Sequence, residues 1–465
     1  MSFSTKSGDR FGTVIDKSAY LVEDPLVKIQ YVSKGQNVVF GRKLKENDYS
    51  NLLYIGKVLE STKGKNYLGA DAWLDTTFPH VIYITGTRGS GKSFDLGVLV
   101  EGVSKLSKPS PLQNNVKPIT SIIIDTQSQF WTLGYAPREA ILANKAQLEE
   151  LKRWNLEPNN LAAVKVFAPP GSTTFLGTEQ PLQIRPKDVR VEEWCALLGQ
   201  EVYSSQGHIV SATLEAIGDV DFEIADMLSY IADDTNWPNT ADSSRNAISY
   251  KLDDYRRTKL FSAGALRVRD FLEDGTCNIL SLRELRNEDK SLITAVIARN
   301  LFDILGKHHN KKKMASFFQK PFEEDGTPDR VWLVIDEAHV VAPSDQMSPA
   351  RSALVEYVKR GRDAGLSLVL ATQQPSALDD RILSQVNLTF SHRLSFQSDI
   401  NAAANRIPTK SVRGMKFAGT NLTDFGDMMR VLDAGQCFLG DQASSRTVLV
   451  QIRPRVTAHG GYSPF

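Results

Sequence analysis

Only three cysteines occur in 465 residues, Cys195, Cys277 and Cys437, and no two of them form a CxxC pair. That excludes a disulfide framework and a zinc-finger spacing, suits a reducing compartment, and reads the three thiols as small buried hydrophobes. Missing too is any run of about 18 apolar residues, the least that a membrane-spanning helix needs. The longest uncharged stretch, Ala364 to Leu378, contains "TQQPS" and reads as a strand followed by a loop. The opening "MSFSTKSGDR" has no apolar core of the secretion-signal kind. A cytoplasmic chain with no membrane partner is the expectation. Neither sign of charge dominates: 55 Lys and Arg against 54 Asp and Glu leave a net +1. A protein that coats nucleic acid with a broadly positive exterior is thereby excluded, and any contact with a polyanion must be local.

What is present is an ordinary globular composition, 41% hydrophobic and 23% charged, in a chain too long for one core. Residues 20 to 60 hold short β-branched runs, "YLVEDPLVKIQYV", "NVVFGRKL" and "LLYIGKVLES", divided by "KGQN" and "KENDYS". They predict a small β-unit. Six further apolar runs each end on or beside a polar residue: "SIIID" (121–125), "VKVFA" (164–168), "NILSL" (278–282), "VWLVID" (331–336), "LSLVLAT" (366–372) and "NLTFSH" (387–392). Continuous apolar strands alternating with helical stretches predict an α/β fold, a parallel sheet covered on both faces, whose polar strand ends gather at one edge. From about 187 to 275 the spacing turns helical, in "VEEWCALLG", "IVSATLEAIGD" and "FEIADMLSYIADD", and predicts a helical insertion. "KHHNKKKMASFFQKPFEEDGTPDR" (307–330) reads as a helix end and an exposed loop, its lysines either solvated or touching phosphates.

"GTRGSGKS" (86–93) follows the apolar run "VIYIT" and precedes the helically spaced "FDLGVLVEGVSKL". Strand, glycine loop and helix are the context in which G-x-x-x-x-G-K-[ST] cradles phosphate: successive N–H groups turn inward and the helix start adds its positive end. Gly86, Thr87, Arg88, Gly89, Ser90, Gly91, Lys92, Ser93 and Phe94 are the candidate nucleotide contacts, with Lys92 on the β- and γ-phosphates and Ser93 on Mg²⁺. The competing reading is a glycine turn without a ligand. Hydrolysis also needs a carboxylate for the metal and a group to orient water. "VWLVIDEAH" offers Asp336 for Mg²⁺ and Glu337 for the water; the plain alternative is an acidic pair making salt bridges. One apolar run later, "LATQQPS" brings Gln373, with Gln374 as substitute, to the same predicted edge as a γ-phosphate contact. Arg360 and Arg362 in "YVKRGRDAG" and Arg393 in "SHRLS" are candidate partners for the charge that develops in phosphoryl transfer, or are solvated helix-end residues.

Together "GTRGSGKS", "WLVIDEAH", "KRGRDAGLSLVLATQQPSALDDRILSQVNLTFSHRLS" and the tail "RPRVTAHGGYSP" resemble the HerA group of the HerA–FtsK ring ATPases, over most of residues 76–465. The resemblance implies a RecA-like P-loop (ASCE) core at 76–186 and 276–455, an amino-terminal β-barrel-like unit at 1–75, the helical insertion at 187–275, and a tail at 456–465 reaching a neighbouring subunit. It also implies ATP and Mg²⁺ at subunit interfaces of a homo-hexamer and double-stranded DNA threaded through the channel without sequence preference. Arg362 resembles the finger that acts across the interface, with Arg360 in reserve, and Arg393 resembles an arginine close to the nucleotide. The activity implied is an ATP-driven DNA translocase or helicase working with a partner nuclease or NAD-consuming effector, in end processing or antiviral defence. The alternative is a nucleotide-gated scaffold that activates an effector. Two departures accompany the resemblance: Asp125 in "DTQSQFW" stands where relatives often place a glycine and an acid, and "TTFPH" lacks an arginine that some relatives carry, which leaves His80 as the candidate there. Lys92 and Asp336 stand 244 positions apart, a gap that the helical insertion fills.

Overall fold

A computed structural model describes residues 37–42, 50–62, 65–114, 117–174, 176–407, 415–417, 420–422, 424–443 and 445–460. Its strands are β1 (Asn37–Phe40), β2 (Leu52–Thr62), β3 (Lys65–Asp75), β4 (Val81–Thr85), β5 (Gln113–Asn114), β6 (Thr120–Asp125), β7 (Val164–Ala168), β8 (Gln180–Pro181), β9 (Cys277–Ser281), β10 (Val331–Ile335), β11 (Leu366–Thr372), β12 (Leu388–Ser391), β13 (Met415–Phe417), β14 (Thr420–Leu422), β15 (Gln436–Asp441) and β16 (Arg446–Ile452). The helices that concern the site are α1 (Lys92–Val103), α2 (Lys145–Arg153), the insertion helices α3 (Val191–Leu197), α4 (Ser205–Ile217), α5 (Ile224–Ala232) and α6 (Asp242–Thr258), then α7 (Asn287–Phe317), α8 (Ala338–Val341) and α9 (Pro349–Arg360).

All but β13 and β14 belong to one sheet, ordered β1-β3-β2-β16-β15-β12-β4-β11-β10-β6-β9-β7-β8, with β5 beside β2. From β12 to β8 every neighbouring pair is parallel. The central strands are apolar throughout because both faces are covered, and period two sends alternate residues to different cores. Ile122, Ile124, Leu333, Ile335, Leu368 and Leu370 pack with the insertion helices and α7 on one face. Ile123, Trp332, Val334, Val369 and Ala371 pack with α1 on the other. The insertion is therefore fastened to the sheet by one shared core, through residues such as Trp194, Ile209, Met227 and Leu252.

Three regions bear on the expected boundaries. Among the described residues of 37–75, β2 pairs with β3 and with β16, so β1 to β3 continue the large sheet. The run at 20–32 lies outside the described residues. Within 307–330 the helix end and the loop are both found: α7 carries "KKKMASF" to Phe317, and a largely exposed loop follows to β10. The segment leading into the tail packs on α1 of the same chain. Arg453, Arg455 and Thr457 are buried in their own chain on Glu101 of α1, Arg453 at 2.7 Å and the Thr457 hydroxyl at 2.7 Å. Residues 461–465 lie outside the described residues.

Candidate nucleotide-binding site

Parallel pairing sets the carboxyl ends of β4, β6, β10, β11 and β12 along one edge, with Thr85 level with Thr372 and Ser391, and Ile335 level with Ile124 and Leu370. Gly86, Asp125, Asp336, Gln373 and His392 each follow or end one of those strands. Five segments far apart in sequence thus converge, and β11 lies between the glycine-loop strand and the strand that carries the acids.

The loop curls because Gly91 holds φ +123°, a conformation that side chains resist, and Gly86 sits so close to Ser90 that a Cβ would lie 2.3 Å from its hydroxyl. It is pinned from both sides. Thr87 N–H donates to Arg393 O at 2.8 Å, and Gly435 N–H donates to Ser90 O at 3.0 Å. Lys92 begins α1 and is buried; its Nζ donates to Thr87 O at 3.0 Å. Burial lowers the Lys92 pKa, while Glu337, Asp336 and Asp95 act in the opposite sense. Ser93 and Phe94 are half-buried in the first turn of α1, and Arg88 and Gly89 are exposed at the loop crest.

Asp336 is wholly buried, and neither carboxylate oxygen has a hydrogen-bond partner. Burial pushes its pKa well above the ordinary carboxylate value, and Glu337 and Asp125 push it further. An orphaned buried acid within the field of Lys92, at the edge where Ser93 lies in the first turn of α1, suits a divalent cation, so the residues fit the Mg²⁺ that a phosphate loop implies. Glu337 adopts the left-handed conformation, φ 50°, which turns its side chain away from the path of β10. Gln373 holds it there: its N–H donates to Glu337 Oε2 at 3.2 Å and its side-chain amide donates to Oε1.

His339 was not singled out from the sequence, although it closes the string "DEAH". Its Nδ1 lies 3.0 Å from Thr372 Oγ1 and 3.5 Å from Glu337 Oε2. Burial lowers its pKa, against the pull of Glu337. The uncertain loop after β6 gains a reading: Asp125, pushed up to about 6 by burial, accepts the N–H groups of Gln127 at 3.2 Å and Phe130 at 2.9 Å. It caps the turn that follows.

The arginines divide between the two edges. Arg393 is exposed next to the loop whose Thr87 its carbonyl receives. Arg360 and Arg362 come before β11, at the opposite end of that seven-residue strand, roughly 23 Å along the sheet. Arg360 pairs with Glu356 at 2.7 Å and lies over the Phe302 ring, and Arg362 is exposed. Neither joins the loop of its own chain. His80 likewise sits at the far end of β4, buried against Asp75 at 3.6 Å and Asn387 at 3.1 Å, away from the phosphate loop.

A parallel sheet with a glycine loop at its carboxyl edge, a buried strand-end acid and a second acid beside it define a RecA-like P-loop nucleotide-binding protein. Comparison with known proteins narrows this. Residues 53–301 match the model of the "Helicase HerA, central domain" family, and the chain belongs to that family. Among curated relatives, it is 30% identical over 149 residues to the DNA double-strand break repair helicase HerA of Sulfurisphaera tokodaii, covering 32% of this chain and 27% of that one. It is 23% identical over 171 residues to a probable helicase of Methanocaldococcus jannaschii, covering 32% and 31%. The chain thus matches less than a third of the length of these relatives. The solved structure of VirB4 of Thermoanaerobacter pseudethanolicus shares the fold, with a TM-score of 0.50 at 14% identity over 90% of this chain and 98% of that one.

Proposed function

We propose that the chain is an ATP-hydrolysing subunit of a hexameric ring that drives double-stranded DNA through its channel without regard to sequence. The observation that carries this reading is the separation of its candidate groups. Lys92, Ser93, Asp336, Glu337, Gln373 and Arg393 occupy one edge of the sheet, whereas Arg360 and Arg362 occupy the other, out of reach of their own chain's loop and suited to another copy's nucleotide.

Each group then has a task. The loop N–H groups and Lys92 bind the phosphates of ATP. Ser93 and Asp336 would hold Mg²⁺, whose charge offsets that of the phosphate oxygens. Glu337 accepts the proton of the attacking water, and Gln373, which releases or grips Glu337 according to what lies beside it, reports the γ-phosphate. Arg393 lies next to the nucleotide of its own chain, and Arg362, with Arg360 in reserve, supplies positive charge across the interface. Sequence-independent grip on DNA is consistent with the balanced net charge, since one cation per subunit repeated round a ring makes a positive channel. The name of the HerA relative, a DNA double-strand break repair helicase, favours a role in end processing. We further propose a cytoplasmic complex with a partner nuclease or an NAD-consuming effector; antiviral defence would use the same motor.

The test is turnover with and without duplex DNA, followed by subunit mixing. Arg362→Ala and Lys92→Ala proteins, each inactive alone, should regain a fraction of the turnover when mixed. No recovery at any ratio would remove the arginine from the shared site. Turnover indifferent to DNA, with no displacement of a bound strand, would favour a nucleotide-gated scaffold instead.

A further inference from the structure

Beneath the phosphate loop, three side chains from distant parts of the chain meet. Asp95 comes from the first turn of α1, His392 directly follows β12, and Cys437 lies on β15. One ligand atom from each falls within 4.8 Å of the other two, and all three residues are buried. His392 Nε2 lies 2.6 Å from Asp95 Oδ2. That contact leaves Asp95 Oδ1 and His392 Nδ1 in the interior with no hydrogen-bond partner. Buried polar atoms are seldom left so, and two within one cluster mark a place built for something more.

We propose that Asp95, His392 and Cys437 bind a structural zinc ion, separate from the Mg²⁺ site at Ser93 and Asp336. The donor set selects the metal. A thiolate, an imidazole and a carboxylate are zinc donors, whereas Mg²⁺ and Ca²⁺ take oxygen. The charges also close: one Zn²⁺ with one thiolate and one carboxylate is neutral, as a dry interior demands. Three protein donors leave one tetrahedral position, open to the second Asp95 oxygen, which has no other partner, or to a water. The thiol gives up its proton to solvent as the metal enters.

Such an ion would clamp the phosphate loop from below. Its ligands sit on the three segments that already hold the loop: α1 itself, the β12 end whose His392 N–H donates to Thr85 O at 2.8 Å, and the strand preceded by Gly435, whose N–H donates to Ser90 O at 3.0 Å. A Cβ on Gly91 would lie 3.4 Å from the His392 ring. The cysteine that spacing alone reads as inert is, in the fold, the third corner of this cluster.

The experiment uses the full-length chain without a histidine tag, produced in zinc-supplemented and, separately, cobalt-supplemented medium. Elemental analysis should give about one zinc per chain, falling at least about tenfold in Cys437→Ser and in His392→Asn. X-ray absorption at the zinc edge of the unmutated protein should show one sulfur neighbour at about 2.3 Å with nitrogen and oxygen at about 2.0 Å. The cobalt form should show a thiolate-to-metal charge-transfer band that survives Cys195→Ser and Cys277→Ser and vanishes in Cys437→Ser. Cobalt at the Mg²⁺ site, with oxygen donors, gives no such band. Less than a tenth of a zinc per chain, an all-oxygen-and-nitrogen shell, or a band indifferent to Cys437 would each overturn the proposal, and the first two need no variant to fold.

Discussion

Gln373 grips Glu337 at both ends of its own residue, main-chain N–H and side-chain amide on the two oxygens of one carboxylate. An acid so held is fixed in direction, with a lone pair left on each oxygen for a water. Glu337→Gln keeps the shape and removes the base. Turnover should fall by about a hundredfold or more, with the affinity for a non-hydrolysable ATP analogue changed by less than about threefold. Single-turnover hydrolysis beside equilibrium binding measures both.

Asp336 should trade stability for function. Its folded-state pKa stands above its unfolded one, so the folded chain favours the protonated form and loses stability as pH rises towards neutrality. Asp336→Asn removes that charge. The nucleotide-free protein should become more stable by about 1–2 kcal/mol at pH 7.5, read from the urea midpoint, while magnesium-dependent hydrolysis disappears.

Glu101 holds the opposite balance. It is fully buried and receives Arg453 at 2.7 Å, the N–H of Thr457 at 2.9 Å and the Thr457 hydroxyl, with Arg455 at 3.7 Å. Glu101→Gln would leave two interior guanidiniums without a counter-charge. A loss of about 3–5 kcal/mol is expected, measured by denaturant unfolding.

His459 supplies a signature in pH. Burial, and then the charge of Arg455, lower its pKa from 6.5 to about 4, and its Nδ1 lies 3.2 Å from Arg455 Nη1. The unfolded chain takes up the proton first, so this group's contribution is full above about 6.5 and is lost as pH falls towards 4. Between pH 8 and pH 5 the loss is about 2 kcal/mol. Thermal unfolding of His459→Gln should fall less steeply over that range than that of the unmutated protein; parallel curves would contradict the assignment.

The parallel half of the sheet was legible because buried strands announce themselves as unbroken apolar runs: "VIYIT" and "LSLVLAT" coincide with β4 and β11, and "VWLVID" overshoots β10 by one residue. The glycine loop and the acids at 336 and 337 were legible for a chemical reason, since their residue types and spacing answer to phosphate and metal. What stayed hidden is what sequence proximity does not encode. β15 and β16 join the amino-terminal strands to the core by antiparallel pairing, outside the strand–helix alternation that marks the parallel half. Asp95 and His392 are 297 positions apart, and only the fold makes them neighbours.

The buried pairing of Arg453 with Glu101 has a consequence for how the molecule is made. Its partners are separated by 352 positions, so the helix behind the phosphate loop waits for a late-synthesised segment before its far side is sealed. Contacts of such long range are slow to form and cooperative once formed. A nascent chain that has not yet delivered Arg453 would carry a complete glycine loop on an unfinished support.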